Sequence, residues 1–358
     1  MALFETDPAP EVQEAVTRAF GAENRARLLG RYFDEAGTVT ATNAWQRVYR
    51  LLLWFDRTTA LAHCYESDKA QPARAWYARS LAFHDWVSRA LGVAPNDLGD
   101  AIDYLFREAV KDLASVALTA RTAAYQEQRA PYAGQGFPEP GEDPELIVIV
   151  KEVLGGWMRQ EPPDEEYRNL ARRIYVYMTQ ENKRRNLVGE GFEDVIAAVI
   201  RRLPFAGRVT VCNRSLLRDL PGFRPPPPNE KEKRVDVALT WKRQRTLVSA
   251  KWSVRADREE QFQSDFEAYA RLESAGQDFD YTLITNEFDA ARLKAACERR
   301  RQNALLFTQV IHINPEAVLA AYGGVSQRSG REVRAHIESG RLMSLQAWLE
   351  RLDASTAA

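Results

Sequence analysis

The stretch "RVDVALTWK" (residues 234–242), followed by "RTLVSAKWS" (residues 245–253), decides how the rest of the chain is read. Both runs are rich in β-branched and aromatic residues and are joined by a short polar link, so they read as a β-hairpin. Each run carries one charged residue that an apolar strand does not need. Asp236 lies between two valines on the first, and Lys251 closes the apolar part of the second. A tight hairpin would set the two side by side. Each also has an ordinary explanation, since an alternating strand turns every second side chain to solvent.

Upstream, "GEGFEDVIAAVIRRL" (189–203) reads as an amphipathic helix opened by Glu190, Glu193 and Asp194, where carboxylates suit the positive end of the helix dipole. "GRVTVCNR" (207–214) reads as a short strand. "GFRPPPPNEKEKR" (222–234) is an exposed loop, because four successive prolines favour polyproline II and the charged tail has no core to join. A spacer or flap explains it better than a proline-motif ligand. Downstream, a helix over about 258–272 buries Phe262, Phe266 and Tyr269. Asp265 stands three and four residues from two of them, beside that face. "DYTLITNEF" (280–288) and "VIHINPE" (310–316) read as strands, with a helix near 290–301 between them. Strands alternating with helices after a hairpin predict an α/β fold with a mixed β-sheet flanked by helices.

The first 130 residues or so read as an all-helical region. "NAWQRVYRLLLWFDRTTALAHCY" (43–65) has Asn43 as a candidate N-cap, and "GDAIDYLFREAVKDLASVALTARTAAYQEQ" (99–128) has one apolar face. "RAPYAGQGFPEPGEDPEL" (129–146) is a loop, helices follow near 146–158 and 164–179, and "REVRAHIESGRLMSLQAWLE" (331–350) reads as helical. The expected division is a helical domain at 1–135, a linker at 136–144, the α/β domain at 145–325 and a helical appendage at 326–358.

A chain of 358 residues with 45% apolar and 10% aromatic content suits two soluble units with real cores. No apolar run is long enough to span a bilayer. The start "MALFETDPAPEV" lacks the pattern of a signal peptide, and Cys64, Cys212 and Cys297 lack metal-ligand spacing, so a cytoplasmic protein with reduced thiols is expected. The net charge of −1 neither argues for nucleic acid nor excludes it, because clustering matters more than the total. No phosphate-cradling glycine loop occurs, so no nucleotide cofactor is indicated.

Hydrolysis of a phosphodiester calls for charge stabilisation, an activated water and usually divalent ions, which prefer carboxylate oxygens. An acid helix, a strand aspartate, a strand lysine and a helix aspartate could supply that chemistry together. Their order resembles the PD-(D/E)xK nuclease superfamily, with Glu on a helix, Asp on a strand and (Asp/Glu)-x-Lys on its hairpin partner. Val235 stands where that pattern usually has proline, and Ser249 where it has the second acid. One branch, the type II restriction endonucleases that read CCGG, has Ser-x-Lys as its rule and draws the missing carboxylate from the next helix. Here the pattern is Ser249-Ala250-Lys251, and Asp265 occupies the position where that branch usually has Glu. The same branch follows its lysine with Arg-x-Asp-Arg, matched by Arg255, Asp257 and Arg258. Arginine forks suit guanine O6 and N7, and an aspartate accepts from cytosine N4. An exposed, charged helix start is the plainer alternative.

The resemblance covers about 182–315. It implies a restriction-endonuclease-like fold and Mg²⁺-dependent cleavage of double-stranded DNA at a palindrome with a CCGG core, by a homodimer with no membrane association. Asp236, Asp265 and Glu193 (or Glu190) would hold the metal, Lys251 would position water, Ser249 would support the shell, and Arg255, Asp257 and Arg258 would read bases. The rivals are another nuclease of the superfamily, repair or modification-dependent, and a non-catalytic sequence-specific DNA-binding protein.

Other features are less specific. Arg168, Arg172, Arg173, Lys183, Arg184 and Arg185 suit phosphates or a solvated face equally, as does "CERRRQN" (297–303). His63, Cys64 and His84 lack a fourth zinc ligand. Trp76, Tyr77, Phe83 and Trp86 suit a helical core better than a base-stacking platform.

Overall fold

The structure is a computed structural model that describes residues 18–56, 61–62, 75–120, 144–254, 259–323 and 328–357. Packing divides the chain into two compact units, Met1–Asn24 with Glu108–Val188, and Arg25–Arg107 with Gly189–Ala358. These units cut across the four linear segments expected from the sequence. The physical reason lies in residues 25–107, whose apolar faces are covered within the second unit. Phe83 packs 4.6 Å from Phe288, the Tyr49 hydroxyl donates to Asn286 Oδ1 at 2.9 Å, and the Arg79 guanidinium lies 4.2 Å from the Tyr322 ring.

The N-terminal elements are α1 (Ala22–Glu35), α2 (Ala44–Leu52), a small hairpin of β1 (Phe55–Asp56) and β2 (Leu61–Ala62), α3 (Ala75–Leu91), α4 (Leu98–Ala101) and α5 (Tyr104–Ala120). The region is therefore not wholly helical. The helix expected over 43–65 ends at Leu52, where Leu53 turns extended, and Asn43 does not cap it. Its Oδ1 instead accepts from the Thr40 amide at 2.9 Å, closing the preceding turn. The helix expected over 99–128 is broken between α4 and α5, where Asp103 takes a left-handed φ of 62°.

Two helices follow, α6 (Pro144–Gly155) and α7 (Asp164–Ile200). The second is 37 residues long and merges the two helices expected over 164–179 and 189–203. No proline interrupts the intervening residues, and Gly189 and Gly191 weaken a helix without ending it. In the first unit, Lys151 pairs with Asp164 at 2.5 Å and lies 5.0 Å from the Tyr167 ring.

The second unit is built on a six-stranded mixed sheet in the order β10-β9-β6-β5-β4-β3. Its strands are β3 (Thr210–Leu216), β4 (Arg234–Trp241), β5 (Gln244–Lys251), β6 (Asp280–Thr285), β9 (Gln309–His312) and β10 (Leu342–Ser344). A two-stranded ribbon, β7 (Arg300–Arg301) and β8 (Ala304–Leu305), lies outside this sheet. The helices are α8 (Glu259–Leu272), α9 (Ala290–Glu298), α10 (Pro315–Ala321), α11 (Arg328–Glu338) and α12 (Leu345–Ala357).

The expected hairpin is present. β4 and β5 pair antiparallel from Trp241 opposite Gln244 to Val237 opposite Val248. The two-residue link begins with Lys242 at a φ of 50°, which suits the twist of a tight hairpin. β5 and β6 are buried along nearly their whole length, as expected of strands covered on both faces. They pair in parallel, and α8 makes the crossover between them. Phe262 packs against Phe307 and Tyr269 against Tyr281, so the expected apolar face of α8 covers the sheet. The C-terminal segment is more than a helical appendage, since β10 adds a parallel edge strand beside β9. Three residues are too few to show a strand period.

Candidate active site

Asp236 enters β4 just before the Val237–Val248 pair, and Lys251 ends β5, so the antiparallel register puts both at one end of the sheet. Lys251 Nζ stands 2.6 Å from Asp236 Oδ2. The same oxygen accepts from the Ala250 amide at 2.9 Å and the Ser249 hydroxyl at 3.4 Å. Among the described residues Asp236 Oδ1 accepts no hydrogen bond. Ser249 is buried and braces the aspartate rather than facing solvent.

Helix α7 supplies the second acid. Phe192 packs edge-on against Trp252 at 5.4 Å, directly after the lysine strand. A β-carbon at Gly191 would lie 3.3 Å from Leu52 and 3.6 Å from Leu105, so the missing side chain lets the helix settle closely there. Glu193 is thereby brought to the end of β5, with Oε1 3.6 Å from Lys251 Nζ. Its Oε2 accepts from Arg214 Nε at 2.8 Å. Burial lifts the Glu193 carboxyl above the ordinary carboxylate range, and the charge of Asp236 lifts it further. Arg214 and Lys251 pull it back.

The expectation that Glu190, Glu193 and Asp194 open a helix is corrected by the length of α7, which places them far from its N-terminus and its dipole. Their roles separate. Glu190 is 63% exposed and pairs with Arg25 at 2.9 Å, so Glu193 is the glutamate that reaches the lysine. Asp194 is saturated by Arg25 at 2.7 Å, Asn213 at 2.5 Å and Arg214 at 3.2 Å. Arg25, Asn213 and Arg214 were missed from the sequence. Arg214 ends the run read from the sequence as a strand, as Lys251 ends its own, although β3 continues to Leu216; Arg25 lies far upstream with no local pattern to mark it.

Asp265 is half-buried on α8, and Lys233 Nζ holds its Oδ1 at 2.7 Å. It makes no hydrogen bond or ion pair with Lys251 among the described residues. The buried Tyr281 phenol feels the charge of both acids. Burial pushes it well above its usual range, with the charges of Asp265 and then Asp236 adding to the effect.

The expected metal therefore has a partial set of donors. Asp236 and Glu193 approach one ammonium and keep oxygens unengaged by hydrogen bonds, which suits a hard cation. No group of three or more His, Cys, Asp or Glu side chains converges on a metal position among the described residues. Asp265 would have to exchange Lys233 for the ion.

Arg255, Asp257 and Arg258 lie outside the described residues. Their N-terminal anchor is described. Val254 is buried, and its amide donates to Glu287 Oε2 at 2.7 Å. The proline-rich loop, expected as a spacer or flap, is tied by Glu230 to Arg271 and by the Arg224 amide to the Leu272 carbonyl at 2.9 Å. Of the upstream basic cluster, Arg168, Arg173 and Lys183 are exposed and Arg184 is buried, while the side chains of Arg172 and Arg185 lie outside the description. In the "CERRRQN" run, Arg301 stacks 4.8 Å from Phe266, and burial pushes the Cys297 thiol up to about 12. Phe83 and Trp86 belong to a packed aromatic cluster with Tyr49, whereas His63 and Cys64 lie outside the described residues.

No protein-family model matches the chain, and no curated protein matches it. No helix of the described residues is long and apolar enough to cross a membrane.

Proposed function

We propose that this chain is a metal-dependent nuclease that hydrolyses phosphodiester bonds in double-stranded DNA, of the type II restriction endonuclease kind with a CCGG core site. The observation that carries the reading is Lys251 between two carboxylates, 2.6 Å from Asp236 and 3.6 Å from Glu193. Helix, strand and hairpin partner each supply one of the three. The crossover of α8 from β5 to a parallel β6 further supports a restriction-endonuclease-like fold.

Mg²⁺ bound by Asp236 and Glu193, with Asp265 joining on release of Lys233, would supply positive charge to a scissile phosphate. The protein's own groups do the rest. Asp236 fixes the Lys251 ammonium, which orients the attacking water and offsets the negative charge that develops on the phosphoryl oxygens. Water adds to phosphorus as the bond to O3′ breaks, leaving a 5′-phosphate and a 3′-hydroxyl. Ser249 and the Ala250 amide keep Asp236 in place. Arg255, Asp257 and Arg258 would read guanine and cytosine edges in the major groove. A palindromic site calls for a two-fold homodimer.

Digestion of unmethylated plasmid DNA with Mg²⁺ tests the reading, and discrete fragments ending within CCGG sites are expected. Lys251→Ala should lower the rate by about 10²–10⁴-fold while sparing DNA binding measured in Ca²⁺. Cutting confined to methylated DNA would assign the fold to a modification-dependent nuclease. The pairing of Asp265 with Lys233 favours one further reading, a sequence-specific DNA-binding protein that does not cut. Selective binding with no cleavage in either Mg²⁺ or Mn²⁺ would establish it.

A further inference from the structure

Arg214 stands in a conformation that a strand residue avoids. Asn213 pairs with Val237 and Ser215 with Val235, yet Arg214 between them has a φ of 51°. By count it falls opposite Asp236. A left-handed non-glycine residue is strained, and such strain persists where surrounding contacts over-determine it. The contacts here are specific. Arg214 Nε donates to Glu193 Oε2 at 2.8 Å, and Nη2 reaches both the Glu190 carbonyl and Asp194 Oδ2, the latter at 3.2 Å. Its own carbonyl accepts from Arg234 Nη1 at 3.2 Å, tying the kink to the start of β4. Asp194 is clamped in turn by Arg25 and Asn213, so the fork rests on a fixed base.

We propose that Arg214 is a positioning residue of this site, holding one oxygen of Glu193 so that the other faces Lys251 and Asp236, where a divalent cation would bind. The inference rests on the nuclease reading and names a residue which that reading does not require. Two carboxylates that share a site repel each other and, in a flexible side chain, separate. The guanidinium prevents this by fixing the more mobile of the pair, since Glu has one more rotatable bond than Asp. It also leaves Oε1 of Glu193 open, because Nε bonds Oε2 and Nη2 is taken up by the Glu190 carbonyl and Asp194. Hydrogen-bond partners behind a metal ligand typically affect metal affinity by about 10–100-fold.

The test is Mn²⁺ binding to the full DNA-free chain, followed by electron paramagnetic resonance, in wild type, Asp236→Asn, Arg214→Met and Arg214→Lys. Thermal melting in chelator reports folding in parallel. Binding by wild type that Asp236→Asn abolishes would place the ion at this site. Arg214→Met, similar in length but without the fork, should then weaken binding at least tenfold with the protein still folded, and Arg214→Lys should restore part of it. Unchanged affinity in Arg214→Met would overturn the role of Arg214 and leave the nuclease reading intact. Equal binding by wild type and Asp236→Asn would instead remove the metal site itself, and both ideas with it. If Arg214→Met fails to fold, Arg214→Lys decides, because a role confined to folding predicts wild-type Mn²⁺ affinity in a folded lysine variant.

Discussion

Two glutamates, the half-buried Glu193 and the buried Glu287, look alike by the usual criteria and differ in kind. Burial lifts the carboxyl of each above its ordinary range, and each stands near the end of a central strand. Glu287 is saturated. Its oxygens accept from the Val254 amide at 2.7 Å and the Asp289 amide at 2.8 Å, with Arg292 at 3.7 Å. Its neighbour His312 is equally satisfied, donating from Nε2 to the Glu287 carbonyl and accepting at Nδ1 from the Asn314 amide. Glu193 has one full hydrogen bond, a second acid as neighbour and a cation that binds that acid more closely. A shifted carboxyl therefore marks a place to look. Unfilled hydrogen-bonding capacity is what separates a site from a well-made core.

The same substitution should divide the two. At Glu287, Gln would turn an amide group toward a backbone N–H in place of an accepting oxygen. Leaving a buried donor unsatisfied costs about 1–3 kcal/mol. At Glu193, Gln would keep an oxygen for Arg214 and remove the charge that stands against Asp236. A carboxyl whose folded-state pKa is raised favours the fold only while protonated, and that contribution falls as pH rises through the raised value. Glu193→Gln should thus stabilise the metal-free protein at neutral pH by about 0.5–2 kcal/mol, as removal of a functional strain often does. Urea unfolding in chelator reads both, and shifts of the same sign in the two variants would erase the distinction.

His312 sharpens the contrast through pH. Complete burial pushes its imidazole down to about 4, against the hydrogen bonds that would raise it. The unfolded chain binds a proton that the fold excludes between about 4 and 6.5, so stability rises with pH across that window and is lost on acidification. The shift corresponds to about 3 kcal/mol. Glu287, lifted by burial, contributes in the opposite direction, so the comparison of wild type with His312→Gln isolates the histidine. The variant should show a flatter profile between pH 4 and 6.5. Parallel profiles would mean that His312 does not govern it.

The hairpin was legible because both runs carry strand residues joined by a tight link, and its two charged interruptions sit where the register makes neighbours of them. The buried face of α8 was legible for the same reason, since Phe262, Phe266 and Tyr269 recur at helical spacing. What escaped was set by tertiary contact. Arg25 meets Glu190 and Asp194 across more than 160 positions, and no local pattern announces that. The length of α7 escaped because two glycines within it imitate a boundary. β10 escaped because its pairing partner, rather than its composition, makes three residues a strand. The left-handed Arg214 is the instructive miss, for local preference argues against that conformation and the acids around it impose it.

Lys233 provides the smallest effect and bears on whether Asp265 belongs with Glu193 or with Glu287. Its ammonium is half-buried and holds Asp265 Oδ1 at 2.7 Å, so it occupies the carboxylate that the sequence pattern would give to the metal. A partly exposed pair of this kind is worth about 0–1 kcal/mol, and Lys233→Ala should barely change the unfolding midpoint. The variant frees the Asp265 carboxylate from its cation. If Asp265 can swing to the ion held by Asp236 and Glu193, Mn²⁺ should bind several-fold more tightly in Lys233→Ala than in wild type. Affinity that is unchanged, or lost, would leave Asp265 as the half-buried partner of Lys233 alone and the metal shell with two protein carboxylates. The sign of that change decides the membership of Asp265, because a saturated structural acid gains nothing from losing its cation, whereas a ligand gains its vacancy.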